Sequence, residues 1–503
     1  MLAVSLLGAT SVFGADESTG GAEGSSNFDP YQQMIEWSAC GSAGARDAEC
    51  ATVMVPIDYD DPSAGATTIA LRKVSATGEK LGSLFLNPGG PGASGLDMLQ
   101  GLAWEAPEEL GEVYDFVGFD PRGVGASDPL ICLDTAGLDE LLATDVDPDD
   151  PASVERYAAL VEMQGEACLQ TNPQLAQHVT TVETAKDLDV LRALVDDEQL
   201  NYHGASYGTF LGTTYAALFP DRVGRLVLDG AMDPSLTVAQ TALRQTGGIQ
   251  LAFDDYLADC LAAECPLGAS MEEVEQKVTE LLDVVANDPL DSGDPSRPLT
   301  QAYAFYGIAE PLYSQEAWPG LTDALVAALD GDGSKLLANA DLYNNRTPDG
   351  YLTNQQQANT AIDCLDAPLA PEPDSTPTED DFVAASSLFG EIAYGYTEVG
   401  CAGWPIEPTV EAPDYSAPGA RPILVVGTTR DPATPFESAQ KLADILESGV
   451  LLIRDGEGHT AFLQGNACID KAIVGYLVDG TVPADGTECP MPDDTAGESV
   501  DSA

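Results

Sequence analysis

The chain has 503 residues, with 83 Asp and Glu against 20 Lys and Arg, for a formal net charge of −63. Such a surface repels the phosphates of nucleic acids, which rules against them as partners, and disfavours an anionic membrane surface. The length admits two domains or one large domain with an insertion, and self-repulsion on this scale is relieved by counter-ions, so adaptation to a salty or variable exterior is expected.

Leu2 to Phe13 is apolar but too short to span a bilayer, and Gly14-Ala15 offers small residues for cleavage. Residues 1–15 therefore read as a signal peptide, which makes the mature protein secreted and extracellular with no stable membrane insertion. No basic residue precedes the apolar run, and no cysteine follows it where a lipid anchor would need one. Residues 16–36 read as a flexible linker, rich in Gly, Ser and acids as far as Asn27. Ten cysteines, an even number, also point to an oxidising compartment. The pairing that closes only local loops is Cys40/Cys50, Cys132/Cys168, Cys260/Cys265, Cys364/Cys401 and Cys468/Cys489, although sequence alone does not fix connectivity.

Ser83 to Leu86 reads as a short strand that runs into Asn87-Pro88-Gly89-Gly90-Pro91-Gly92-Ala93-Ser94-Gly95. A glycine-rich turn of this kind brings bare backbone N–H groups close to a reacting carbonyl, and Gly90 is the best donor because Pro91 has none. The segment lacks the lysine and spacing of a phosphate-binding loop. Tyr114 to Phe119 is a second strand, which places Asp120 and Arg122 in the loop beyond it, where a structural ion pair is expected to shape the chain. Asp145 to Asp150 superficially resembles a calcium loop but lacks its sixth-position glycine and twelfth-position glutamate.

Ala185, Leu188, Leu191, Leu194 and Val195 recur at helical spacing before a strand that leads to Gly204-Ala205-Ser206-Tyr207-Gly208. A G-x-S-x-G pentapeptide between strand and helix is a nucleophile elbow, whose flanking glycines leave room for a sharp turn. Ser206 is thus the nucleophile, and Tyr207 supplies a second oxyanion-hole N–H. Serine needs a general base oriented by an acid. The chain has three histidines. His203 falls on the strand and is expected in the core, and His178 falls in a loop. His459 follows an apolar run, Gly449 to Arg454, in a flexible turn, which makes it the base. In chain order the acid lies between nucleophile and base. Asp431 ends the apolar run that begins at Arg421, ahead of Asp229 and Asp455 as competitors, while Thr434-Pro435 reads as a helix N-cap and first helical position.

Between these sheet motifs, apolar residues recur at helical spacing over Ala239 to Leu261, Met271 to Val285, Ala302 to Leu312 and Leu321 to Leu329. The expected organisation is α/β: a hydrolase core of mostly parallel sheet at 37–235 and 416–492, a helical cap inserted at 236–415, and a disordered tail at 493–503. No metal site or cofactor is expected, since there is no C-x-x-C pair and the histidines do not cluster.

Together these pieces look like the α/β-hydrolase fold. Asn87 to Gly92, Phe119 to Gly125, Gly204 to Thr209, Val227 to Gly230 and the segments 422–435 and 456–462 resemble the secreted bacterial tripeptidyl aminopeptidases, relatives of proline iminopeptidase. The resemblance runs from about Trp37 to Cys489. It implies a serine exopeptidase that removes short peptides, typically tripeptides, from a free N-terminus, with Ser206, Asp431 and His459 as its triad. Such an enzyme must neutralise the substrate ammonium. Ala361 to Asp366 resembles a family segment, so Asp363 and Asp366, held by a disulfide at Cys364, are the candidates, with Glu310 a third. An esterase or lipase with the same triad is the alternative, because fold and triad do not choose between amide and ester, and a catalytically dead hydrolase fold serving as a binding protein is the least favoured.

Overall fold

The structure is a computed structural model that describes residues 28–367, 376–408 and 410–491. The expected signal peptide, most of the linker and the tail at 493–503 lie outside the described residues. Where the linker segment is described, the Tyr31 hydroxyl donates to Asp189 and the Gln33 side chain bonds both backbone groups of Met54, so its end is tied to the core.

Among the described residues the strands are, in chain order, β1 (Ser38–Ala43), β2 (Arg46–Pro56), β3 (Ala66–Val74), β4 (Gly82–Asn87), β5 (Tyr114–Phe119), β6 (Leu200–Ala205), β7 (Val223–Asp229), β8 (Arg346–Thr347), β9 (Gly350–Tyr351), β10 (Ile423–Arg430), β11 (Gly449–Glu457) and β12 (Thr487–Cys489). β8 and β9 form a separate hairpin, and the others make one sheet in the order β1-β2-β3-β5-β4-β6-β7-β10-β11-β12. β1 to β3 pair antiparallel with each other and β3 with β5. From β5 to β12 every pairing is parallel. Parallel strands covered on both faces read as unbroken apolar runs, which is why every residue of β4 is buried. β11 is only half-buried, with the three-residue β12 outside it, and it extends to Glu457, three residues beyond the sequence expectation.

One apolar cluster fills one face of the sheet, centred on Phe85, Leu188, Tyr202 and Val425. A second fills the other face, with Leu86, Phe116, Val227 and Ile473. A third, separate core is built by residues 249–392, including Phe253, Leu282, Leu325 and Phe389. It contains the helices Val238–Ala262, Met271–Asn287, Gln301–Ala309 and Trp318–Leu329. The third of these stops three residues short of expectation. Pro311 has no N–H to continue the i to i−4 ladder, so although Glu310 keeps helical φ and ψ the chain tightens there into the 3-10 segment Glu310–Tyr313. The helix Gln355–Asp366 behaves differently from its neighbours, because Ala358, Ala361, Ile362 and Leu365 belong to the sheet-face core.

The five disulfides are Cys40–Cys50, Cys132–Cys168, Cys260–Cys265, Cys364–Cys401 and Cys468–Cys489. No helix among the described residues is long and apolar enough to cross a membrane.

Sequence order reverses around β4, which has β5 on one side and β6 on the other. A crevice opens at the carboxyl ends of the strands at such a switch point. In this sheet Asn87 pairs with Gly204 and Ala205 with Asp229, so the glycine-rich turn after β4, the elbow after β6 and the end of β7 lie in line.

Candidate active site

The elbow is held in strained geometry. Ser206 has φ 56° and ψ −126°, a region that costs a non-glycine residue of order 1–3 kcal/mol and persists only where the surroundings enforce it. Its N–H donates to the Asp229 carbonyl at 2.9 Å, and its carbonyl accepts from Thr209 N–H at 2.8 Å. Glycine at 208 is required because a Cβ there would sit 2.7 Å from the Asn87 carbonyl oxygen.

The imidazole of His459 lies with Nδ1 2.9 Å from both carboxylate oxygens of Asp431. Asp431 is 2% exposed and also accepts from the N–H groups of Ala433, Thr434 and Thr460 at 2.9, 2.8 and 3.2 Å. Those three donors fix the plane of the carboxylate. Burial alone would lower the His459 pKa, but the charge and hydrogen bond of Asp431, and then the charge of Asp229, raise it above the ordinary imidazole value. Asp455, the sequence competitor, instead takes Arg430 and Thr429 as partners. His203 is buried behind the site, edge-on to Phe462, and His178 sits in a turn where its carbonyl accepts from Arg122.

The glycine-rich turn presses directly on the elbow. A Cβ on Gly89 would lie 2.9 Å from both Ser206 Cβ and Tyr207 N. Tyr207 is the first residue of the helix Tyr207–Leu218, so its N–H has no partner within that helix. Gly90, Ser206 and Tyr207 together line a cavity of about 340 Å³.

The same cavity is lined by Asp363 and Asp366. Three residues apart on the helix Gln355–Asp366, the two carboxylates share one face. Burial, and for Asp363 the neighbouring charge of Asp366 as well, pushes both pKa values up to about 7. Asp366 accepts from the Thr181 N–H at 3.0 Å and from its hydroxyl, and the Thr181 hydroxyl also bonds the Tyr207 phenol. The third candidate, Glu310, is half-buried with its pKa raised by burial, and is not among the residues lining this cavity.

Residues 386–489 match a family model described as TAP-like protein. Over 481 residues the chain is 38% identical to the serine protease Hip1 of Mycobacterium tuberculosis, and the alignment covers 91% of each protein. The chain belongs to the tripeptidyl-aminopeptidase-like family of α/β-hydrolases. To a carboxylesterase B of M. tuberculosis this family member is 36% identical over 499 residues, covering 96% of the chain and 95% of that protein. To the tripeptidyl aminopeptidase of Streptomyces lividans it is 30% identical over 469 residues, covering 90% and 86% respectively. The protein is a serine hydrolase.

Two expectations are corrected in this TAP-like hydrolase. Thr434 is not a helix cap: the helix begins at Phe436 behind Pro435, and the Thr434 hydroxyl lies 3.2 Å from Asp431 Oδ2 and 3.4 Å from His459 Nδ1. Asp120 and Arg122 do not pair with each other. Asp120 accepts from the Ser94 hydroxyl at 2.6 Å and Ala126 N–H at 2.8 Å, whereas Arg122, fully buried, forks onto Asp187 at 2.6 and 2.7 Å and onto the carbonyls of Pro56 and Ile57. The chain turns at Arg122 and Gly123, which carries the guanidinium away from Asp120 to partners on other elements. Thr181 and Tyr313 were missed by the sequence reading. The Tyr313 ring stands edge-on to His459 at 5.3 Å, and its carbonyl accepts the His459 N–H at 2.9 Å. Both contacts join segments far apart in the chain that share no local motif.

Proposed function

We propose that the enzyme is a secreted serine exopeptidase that releases short peptides, tripeptides by its kinship, from substrates with a free N-terminus. Ser206 attacks the carbonyl of the residue ahead of the scissile bond. His459 takes the seryl proton and returns it to the leaving amine, while Asp431 holds the ring and stabilises the imidazolium. The N–H groups of Tyr207 and Gly90 receive the oxyanion, each such donor contributing about 2.7–4 kcal/mol. Water then repeats the sequence on the acyl-enzyme.

The observation that carries the exopeptidase reading is the presence of Asp363 and Asp366 in the cavity that holds Ser206. A single cavity with a nucleophile and a rigid pair of carboxylates suits a peptide whose ammonium end must stop at a set distance from the bond to be cut. One of the relatives supports the reading by its name, tripeptidyl aminopeptidase. Five disulfides favour an oxidising, extracellular setting. The second reading, a carboxylesterase with the same triad, is favoured by the name of the relative that is 36% identical.

The deciding experiment offers one peptide with a free and with an acetylated N-terminus to the wild type and to Ser206→Ala, and reads the products by mass. Release of a tripeptide from the free form alone, absent in the variant, is the expected result. Equal cleavage of both forms would refute the need for a free N-terminus, and ester hydrolysis without peptide cleavage would transfer the enzyme to the esterase reading.

A further inference from the structure

Asp229 is the last residue of β7, 1% exposed, and it is bonded to the backbone of Ser206 and to that of the segment that follows His459. Its carbonyl oxygen accepts the Ser206 N–H at 2.9 Å. Its Oδ2 accepts the Phe462 N–H at 2.9 Å, three residues after His459. The chain then passes directly under the imidazole: a Cβ on Gly230 would lie 3.1 Å from His459 Cε1 and 3.2 Å from the Thr434 hydroxyl, so glycine is needed there for the ring to sit as it does. The other carboxylate oxygen, Oδ1, has no hydrogen-bond partner among the described residues, nor does either ring nitrogen of His203, whose Nε2 is 3.8 Å from Asp229 Oδ2. A buried carboxylate left with so little compensation is costly, and this one sits where positive charge develops during the reaction.

We propose that Asp229 is a positioning residue that fixes the separation of Ser206 and His459 and gives the imidazolium a second negative charge beside that of Asp431. The proposal rests on the reading of Ser206 and His459 as nucleophile and base. Charged and titratable groups face the pair from every side. Asp431 lies against the ring, Tyr313 stands edge-on to it, and Arg454 on β11 donates to the Thr460 carbonyl. His203 faces Asp229 from β6, and Asp470 lies within reach of its charge. The field of Asp229 contributes to the raised pKa of His459, so removing it moves the working range of the base toward acid.

The test is the second-order rate of inactivation by a small fluorophosphonate as a function of pH, which reports the nucleophile and base whatever the natural substrate is. Asp229→Asn keeps an acceptor for the Phe462 N–H and removes the charge. Its acid limb is expected to fall by roughly half a pH unit or more, with the limiting rate down about tenfold. Asp229→Ser, which removes the charge without adding bulk, is measured alongside and should move the limb in the same direction. A folded variant whose acid limb and limiting rate match the wild type would overturn the proposal and leave Asp229 a strand-end carboxylate. Failure of Ser206→Ala to abolish labelling would instead overturn the triad on which it rests.

Discussion

Replacing Asp363 by Asn separates substrate recognition from stability, because the two should move in opposite directions. In the free enzyme the Asp363 pKa is pushed from 3.8 up to about 7, first by burial and then by the charge of Asp366. A carboxyl whose folded pKa is raised binds more protons folded than unfolded between those two values, so its ionisation destabilises the fold progressively as pH rises from about 4 to about 7 and fully above that. At 1.36 kcal/mol per unit the ceiling is about 4 kcal/mol. Solvent in the cavity screens part of this, and a gain of about 1–2 kcal/mol is expected for Asp363→Asn near pH 8, vanishing near pH 4. Substrate affinity should respond in the opposite sense. A hydrogen bond to a charged group contributes about 1.5–3 kcal/mol, so KM for a free-amine peptide should rise roughly 10- to 150-fold while that for a neutral ester changes little. In the wild type the same KM should rise as pH falls through about 7 and the carboxyls protonate. Thermal unfolding at several pH values and steady-state kinetics on the two substrates read both effects. A variant with unchanged melting temperature near pH 8, or with equal KM changes for amine and ester, would refute the reasoning.

Two further outcomes follow from the geometry. Arg122→Met leaves the buried Asp187 without its forked partner, and loss of about 3–5 kcal/mol is expected as a lower urea midpoint, with no change in the pH profile of any activity that survives. Gly89→Ala drives a methyl group to 2.6 Å from the Ala205 carbonyl oxygen and against Ser206 on a backbone with φ 97°, so kcat, measured on any ester the wild type cleaves, should fall by about two orders of magnitude or more and the melting temperature should fall with it.

What the sequence disclosed follows from the range of the interactions involved. The strand-turn-helix around Ser206 is local chemistry, written in two glycines and an apolar run, and the positions of Asp431 and His459 follow from strand ends in a set order. Helices such as Met271–Asn287 show their period plainly because one face packs and the other is wet. Thr181 could not be read this way. It begins a helix, yet its hydroxyl connects Asp366, 185 residues downstream, with the Tyr207 phenol. Thr434 misled for a related reason: Thr-Pro before an apolar helix satisfies the local capping rule, while the nearby Asp431 carboxylate offers its hydroxyl a stronger partner. Arg122 likewise found its partners among side chains and carbonyls from other elements rather than in its own loop.

The helix that carries Asp363 and Asp366 buries Ala358, Ala361, Ile362 and Leu365 against the sheet-face core, and it touches the glycine-rich turn through Asn359 and the Pro91 carbonyl. The Cys364–Cys401 bridge anchors it further. The proposed nucleophile and the two carboxylates are therefore mounted on one frame. If the carboxylates take the substrate ammonium as proposed, that shared mounting keeps the stop and the blade at a constant spacing, and the length of the released piece belongs to the frame.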